Sequence, residues 1–191
     1  MKEILRHPLF YTGLFIKICI IFVISPSAVT DLYAPFLKIS TSVFNLDPWE
    51  VWRERGGDIL AFPYGYAMWI TLLPAVILCD AISVPVEYGY LLTLLASDFA
   101  LLYILSAIID NRQKLILFSY WLSPVVILAS YCLGLNDVIP AAFLMLAILL
   151  LKRHQLITAG ASFAFAISAK LSMLVVLPFF TLFLLKNKTK F

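Results

Sequence analysis

Long apolar runs, broken at intervals by short polar clusters, set the pattern of this chain. The first run extends from Leu9 to about Ser25 and is interrupted only by Lys17, whose long stem predicts a snorkelling ammonium. The most polar stretch follows, Pro26 to Phe62, and is expected to be a loop. Within it, Asp47-Pro48-Trp49-Glu50 predicts a short helix with Asp47 as N-cap and Pro48 in its first turn. Gly56-Gly57 is its expected end. Two runs come next, Tyr66–Cys79 with Pro74 inside and Tyr90–Ile109 with Asp98 inside. Leu115–Leu133 contains Pro124, and Gly134-Leu135-Asn136-Asp137 separates it from Val138–Leu151. The last run, Leu156–Leu185, would be about 45 Å long as one helix. That exceeds one bilayer crossing, so two shorter helices meeting near Lys170 are predicted.

Composition turns this pattern into a class. The 191 residues are 63% hydrophobic and 13% charged, with a mean hydropathy of +0.99. A soluble domain carries roughly 25% charged residues, so too little polar surface exists here to coat a globule. Nor do the runs alternate as the strands of a membrane barrel do. The expected fold is all-α: a polytopic transmembrane helical bundle with short or broken helices. It would be a single domain over 1–191, with a first span in 1–25, an outer loop in 26–62 carrying an interfacial helix, and the remaining apolar helices in 63–191. Trp49 and Trp52 favour that interfacial position.

Charge placement predicts the orientation. With the N-terminus inside and one crossing per run, Arg112, Lys114, Lys152, Arg153 and the tail lysines would all lie outside, against the positive-inside rule. If 63–109 makes a net odd number of crossings, nine of the fourteen Lys and Arg lie inside: Lys2, Arg6, Arg112, Lys114, Lys152, Arg153, Lys186, Lys188 and Lys190. Tyr66–Cys79, short and carrying Pro74, is the run expected to be interfacial, re-entrant or half-spanning. A multi-pass protein of the plasma (inner) membrane with a cytoplasmic N-terminus follows. The scattered basic residues make no nucleic-acid face. Cys19, Cys79 and Cys132 read as small core residues, and no Cys/His ligand spacing exists.

In this orientation Asp31, Asn136, Asp137 and Lys170 all reach the outer face, which predicts a shared aqueous cavity there. Each residue has two readings. Asp31 is a reactive carboxylate or a solvated helix breaker. Asn136 and Asp137 line the cavity or form a turn, with Asp137 capping the next helix. Lys170 faces an anion or snorkels to headgroups. Arg53 and Arg55 bind lipid phosphate or are solvated, and Tyr64 stacks on a sugar or belongs to an interfacial belt. Asp58 competes with Asp31 as a carboxylate. Asp98, mid-span, is expected to be paired or neutral.

The order of these features resembles a known family. A first span leads to an early acidic residue, then Phe62-Pro63-Tyr64-Gly65, Leu122-Ser123-Pro124-Val125, Gly134-Leu135-Asn136-Asp137 and Ala166-Ile167-Ser168-Ala169-Lys170. This is similar to the N-terminal half of polyprenyl-phosphate-dependent glycosyltransferases of the GT-C superfamily, mannosyltransferase-like branch. Leu135 stands where that family's Gly-Gln-x-Asp pattern has Gln, and Asp31 lacks the acidic neighbour often found beside it. The resemblance implies inverting transfer of a sugar from a polyprenyl-phosphate donor to a hydroxyl of a glycan or lipid acceptor on the outer face. Asp31 would be the catalytic base, with Asp58 as alternative. Lys170, Asn136, Asp137, Arg53, Arg55 and Tyr64 would bind substrate. It leaves a divalent metal open and implies membrane lipids as surroundings, with a second chain or further helices completing the enzyme. An accessory subunit, a truncated fragment and a lipid or solute transporter are the alternatives; no internal repeat of the transporter kind is visible.

Overall fold

A computed structural model describes residues 2–42, 45–109 and 112–186. The described residues are helical or irregular and contain no strand. After a short turn, α1 (Lys2–Arg6), helix α2 runs from Pro8 to Val23. Pro8 sits in its first turn and His7 caps it, Nδ1 accepting from the Leu9 amide at 3.2 Å. The helix stops short of Pro26, as the restricted residue before a proline favours.

The expected loop over 26–62 is largely helix. A π-turn, Ala28–Tyr33, leads into α3 (Ala34–Ser42), and the pair bends 60° away from α2. Pro35 explains the π-turn. It has no N–H for the carbonyl four residues back, that of Asp31, and its ring crowds that carbonyl. The chain widens instead, and the Ala34 amide bonds to the Val29 carbonyl. A polar composition therefore hid a helix whose inner face, Val29, Tyr33, Phe36 and Leu37, is buried.

Helix α4 (Pro48–Glu54) forms as its sequence predicts, with the Asp47 carboxylate accepting from the Glu50 amide at 3.1 Å. It ends through Gly56, at φ 78°, and the Gly57 amide bonds to Trp52 O. The segment is held by its aromatic residues. Phe36 stacks on Phe62 at 4.5 Å. Trp49 Nε1 donates to Phe62 O at 2.9 Å, and Trp69 Nε1 to Ser40 Oγ at 3.0 Å.

Helices α5 (Tyr66–Ala81) and α6 (Val86–Ile108) are joined by a tight turn with Ser83 at φ 59°. Gly89 lets them approach: a Cβ there would lie 2.7 Å from Ala75 O. Next come α7 (Gln113–Ile116) and α8 (Pro124–Ile127), each running into a π-segment, Leu117–Trp121 and Leu128–Cys132. The 42° bend between them falls at Pro124. Helices α9 (Val138–Lys152) and α10 (Leu156–Ala169) form the most extensive helix pair. Ala159 and Ala166 are fully buried, and Ser162 donates to Phe143 O at 2.7 Å. The long last run breaks where predicted: Lys170 is extended, and a 3-10 stretch, Leu171–Val176, leads into α11 (Leu177–Lys186).

Among the described residues α6 is the one helix long and apolar enough to cross a membrane, and there are three such elements if each bent pair counts as one span. The others, α5, α9, α10 and Leu171–Lys186, are shorter apolar helices. At one end of the bundle α1 packs on α7, and Lys152 Nζ donates to Ile108 O at 3.0 Å. The starts or ends of α1, α6, α7 and α9 thus meet there, with Arg112, Lys114 and Arg153 adjoining. Lys188 and Lys190, expected in the same basic set, lie outside the described residues.

Lys17 does not snorkel. Its side chain is fully buried and its ammonium pairs with Asp98 at 2.6 Å. Asp98, expected to be paired or neutral, is paired. Its Oδ2 also accepts from Tyr131 at 2.7 Å, and its Oδ1 from Tyr120. Lys17 Nζ lies 3.3 Å from the Trp121 ring centroid. Trp121 is held in turn by its Nε1 bond to Phe10 O at 2.9 Å. Snorkelling fails because α2 turns Lys17 toward α6, where a carboxylate and an indole face replace water. Of the cysteines, Cys79 is buried but Cys19 is exposed, so the core reading does not extend to Cys19.

Removing one partner strands the other's charge, which costs about 3–5 kcal/mol. Lys17→Met or Asp98→Leu alone should lower unfolding stability in micelles by about that amount, and the double variant should recover more than half of it. A Lys17→Met protein within about 1 kcal/mol of the parent would show that the pair is not structural.

Candidate functional site

Four chain breaks meet at the end of the bundle away from the Lys152–Ile108 contact. The first is the turn at Gly134, at φ 72°, a conformation that favours glycine. A Cβ there would also lie 2.5 Å from Val29. Tyr90 of α6 fixes this turn by donating to Gly134 O at 2.7 Å. The second is the start of α9 at Asp137. The third is the extended residue Lys170 between α10 and the 3-10 stretch. The fourth is Phe62–Gly65, leading into α5. Gly65 lies against the Ser168 carbonyl, where a Cβ would collide, and the Ala67 amide donates to Ser168 Oγ at 3.3 Å.

These breaks bring several of the expected residues together. Lys170 Nζ forms an ion pair with Asp137, their side chains 29% and 55% exposed. Asp137 stands at the N-cap position of α9, but its carboxylate makes no capping bond there; it reaches Lys170 instead. The capping expectation is therefore corrected, because a full positive charge outcompetes an N–H dipole for the carboxylate. Lys170 Nζ is 6.0 Å from the Tyr64 ring centroid. The Tyr64 and Tyr33 hydroxyls are 3.1 Å apart, and Tyr33 stacks on Tyr90 at 5.4 Å. Asn136 is 1% exposed; its amide interacts with the Tyr90 hydroxyl, yet neither Nδ2 nor Oδ1 makes a hydrogen bond of good geometry. A buried unsatisfied group costs about 1–3 kcal/mol.

Asp31 is exposed on the π-turn, two residues before Tyr33, and accepts from the Thr30 hydroxyl at 2.8 Å. The expected helix breaker is inside a helix. Asp58 is engaged differently: its Oδ1 caps the 3-10 turn Ile59–Ala61 by accepting from the Leu60 amide at 2.9 Å. Arg53, in the last turn of α4, and Arg55, just past it, are both exposed. They stand on the α4 segment, and no hydrogen bond or ion pair joins them to Lys170 among the described residues.

Three helix N-termini border this cluster: α5 after Gly65, α9 after Asp137, and the helical run Leu171–Lys186 after Lys170. None carries a side-chain cap bond at its N-cap residue. Helix N-termini concentrate partial positive charge and favour anions. Tyr33, Tyr90 and Ser168, which shape the cluster, were not foreseen as site residues; aromatic spacing around the breaks was the signal for the tyrosines, and Ser168 stands in the Ala166–Lys170 motif. Among the described residues no group of His, Cys, Asp and Glu could hold a metal ion. Comparison with protein-family models, with curated proteins and with solved structures finds no match.

Two glycines give a contrasting test of how tightly this end is built. Gly65→Ala should cost about 1–3 kcal/mol, because the new methyl forces α5 away from Ser168. Gly160→Ala, in open space on α10, should stabilise by about 0.5–1 kcal/mol. Chemical denaturation in micelles, followed by ellipticity, reads both; equal effects would mean that the Gly65–Ser168 approach is not close.

Proposed function

We propose that this chain is a multi-pass membrane glycosyltransferase of the GT-C kind, or the N-terminal part of one, acting on a polyprenyl-phosphate sugar. The observation that carries the reading is the meeting of Lys170 with three helix N-termini at one end of an apolar helical bundle. An anionic group entering there gains from every one of them, and a lipid-linked phosphate combines that anion with a tail suited to the apolar helices. The basic residues near Ile108 and Lys152 support a cytoplasmic assignment for the opposite end.

In this mechanism the acceptor hydroxyl attacks the anomeric carbon while the bond from that carbon to the phosphate oxygen breaks. The hydroxyl proton passes to the Asp31 carboxylate, and polyprenyl phosphate leaves with the bonding electron pair. Configuration inverts, because attack comes from the face opposite the leaving group. Lys170 and the helix N-termini balance the charge that collects on the phosphate. The exposure of Asp31 supports its role, since a base must reach an incoming acceptor. Tyr64, beside Lys170, offers an aromatic face to the sugar, and Arg53 and Arg55 are available to lipid headgroups.

Asp31→Asn keeps the size of the side chain and removes its basicity. Sugar transfer in membranes should fall by at least about 100-fold while donor affinity stays within about twofold. Undiminished transfer would move the base to Asp58. Orientation has its own test. In a variant whose native cysteines are replaced by alanine, a cysteine at position 31 should react with an impermeant maleimide in intact cells. Cysteines at 112 and 153 should react only after permeabilisation, and labelling of either in intact cells would overturn the topology.

A further inference from the structure

We infer that Asp137 is an internal competitor for phosphate: its carboxylate occupies the anion seat at Lys170 and sets how readily a phosphate-bearing ligand enters and leaves. The inference rests on the proposed reading of this end of the bundle as a phosphate site. Asp137 is the N-cap residue of α9, yet its side chain leaves its own helix uncapped and pairs with Lys170. Lys170 is itself the residue before the helical run Leu171–Lys186, so the ion pair joins two helix N-termini. A carboxylate there interacts favourably with both helix dipoles and the ammonium, as a phosphate oxygen would. The neighbouring Asn136 amide, buried against the Tyr90 hydroxyl with no hydrogen bond of good geometry, leaves unused polar capacity beside the residue that holds the seat.

The exposure of the pair makes exchange feasible. With side chains 29% and 55% exposed, the carboxylate can rotate into water at low cost, unlike the sealed Lys17–Asp98 pair. An ammonium has three donors, but two adjacent anions repel, so phosphate binding and the ion pair oppose each other. Once displaced, the Asp137 carboxylate remains close to the phosphate and favours its release. Asp137 thereby trades donor affinity for product departure.

The full chain in micelles is titrated with two probes, inorganic phosphate and farnesyl phosphate, at fixed low salt. Asp137→Asn keeps the size of the side chain and removes its charge, and it should tighten binding at least about fivefold, since both the competitor and its repulsion are gone. Lys170→Gln should remove saturable binding in either background. Gains confined to farnesyl phosphate identify a lipid headgroup as the ligand, and equal gains for both probes identify free phosphate; either result supports the competition. Unchanged or weaker binding by Asp137→Asn, binding that survives Lys170→Gln, or no saturable binding by any variant overturns it. Sugar transfer is not the readout, so a protein that shows this competition but transfers no sugar retains the inference and loses the glycosyltransferase reading.

Discussion

The rest of the bundle hangs on one buried charge pair. Lys17 and Asp98 are separated by 81 residues and both are sealed from solvent. Neither charge is tolerable alone in so apolar a chain. Together with Tyr120, Tyr131 and Trp121 they form a polar knot, in which each Asp98 oxygen accepts a hydrogen bond and the ammonium also rests on an indole face. This fixes α2 to α6 and to both π-segments of the α7–α8 run. Leucine packing alone would let apolar helices slide past one another, whereas this five-residue knot admits one register.

With the middle fixed, the helix ends are free to be irregular. Pro35, Gly134 and Lys170 each end or distort a helix at the opposite end from Ile108 and Lys152. Irregular backbone at the edge of an apolar bundle leaves N–H groups and charged side chains without a helical partner. Here the opposite charges of Lys170 and Asp137 pair. Both chemical proposals, the anion seat and its internal competitor, follow from that arrangement of helix ends.

Much of this was legible in the residues. Asp47-Pro48 marked α4 because capping is local chemistry. The excessive length of Leu156–Leu185 marked a break at Lys170, because bilayer thickness is fixed. The helix over 28–42 was hidden because Asp31, Thr30 and Lys38 occupy its exposed side, and polarity on one face reads as a loop when the apolar face is short. The Lys17 pairing was hidden for another reason. Lysine at that depth fits snorkelling and pairing equally well, and only the azimuth of α2 against α6 decides between them. The same limit applies to Asp137, whose neighbours in sequence indicate a cap while its neighbour in space is Lys170.

The sequence separation of the buried pair bears on biogenesis. Translation proceeds at roughly 5–20 residues per second. In a membrane setting Lys17 therefore emerges about 4–16 s before Asp98, and before either tyrosine that completes the knot. During that interval its ammonium has no protein partner, and extension toward the headgroups is the available refuge. In that setting snorkelling would describe the nascent chain, and burial describes the finished one. The pairing of the first helix would then be completed by a residue synthesised much later.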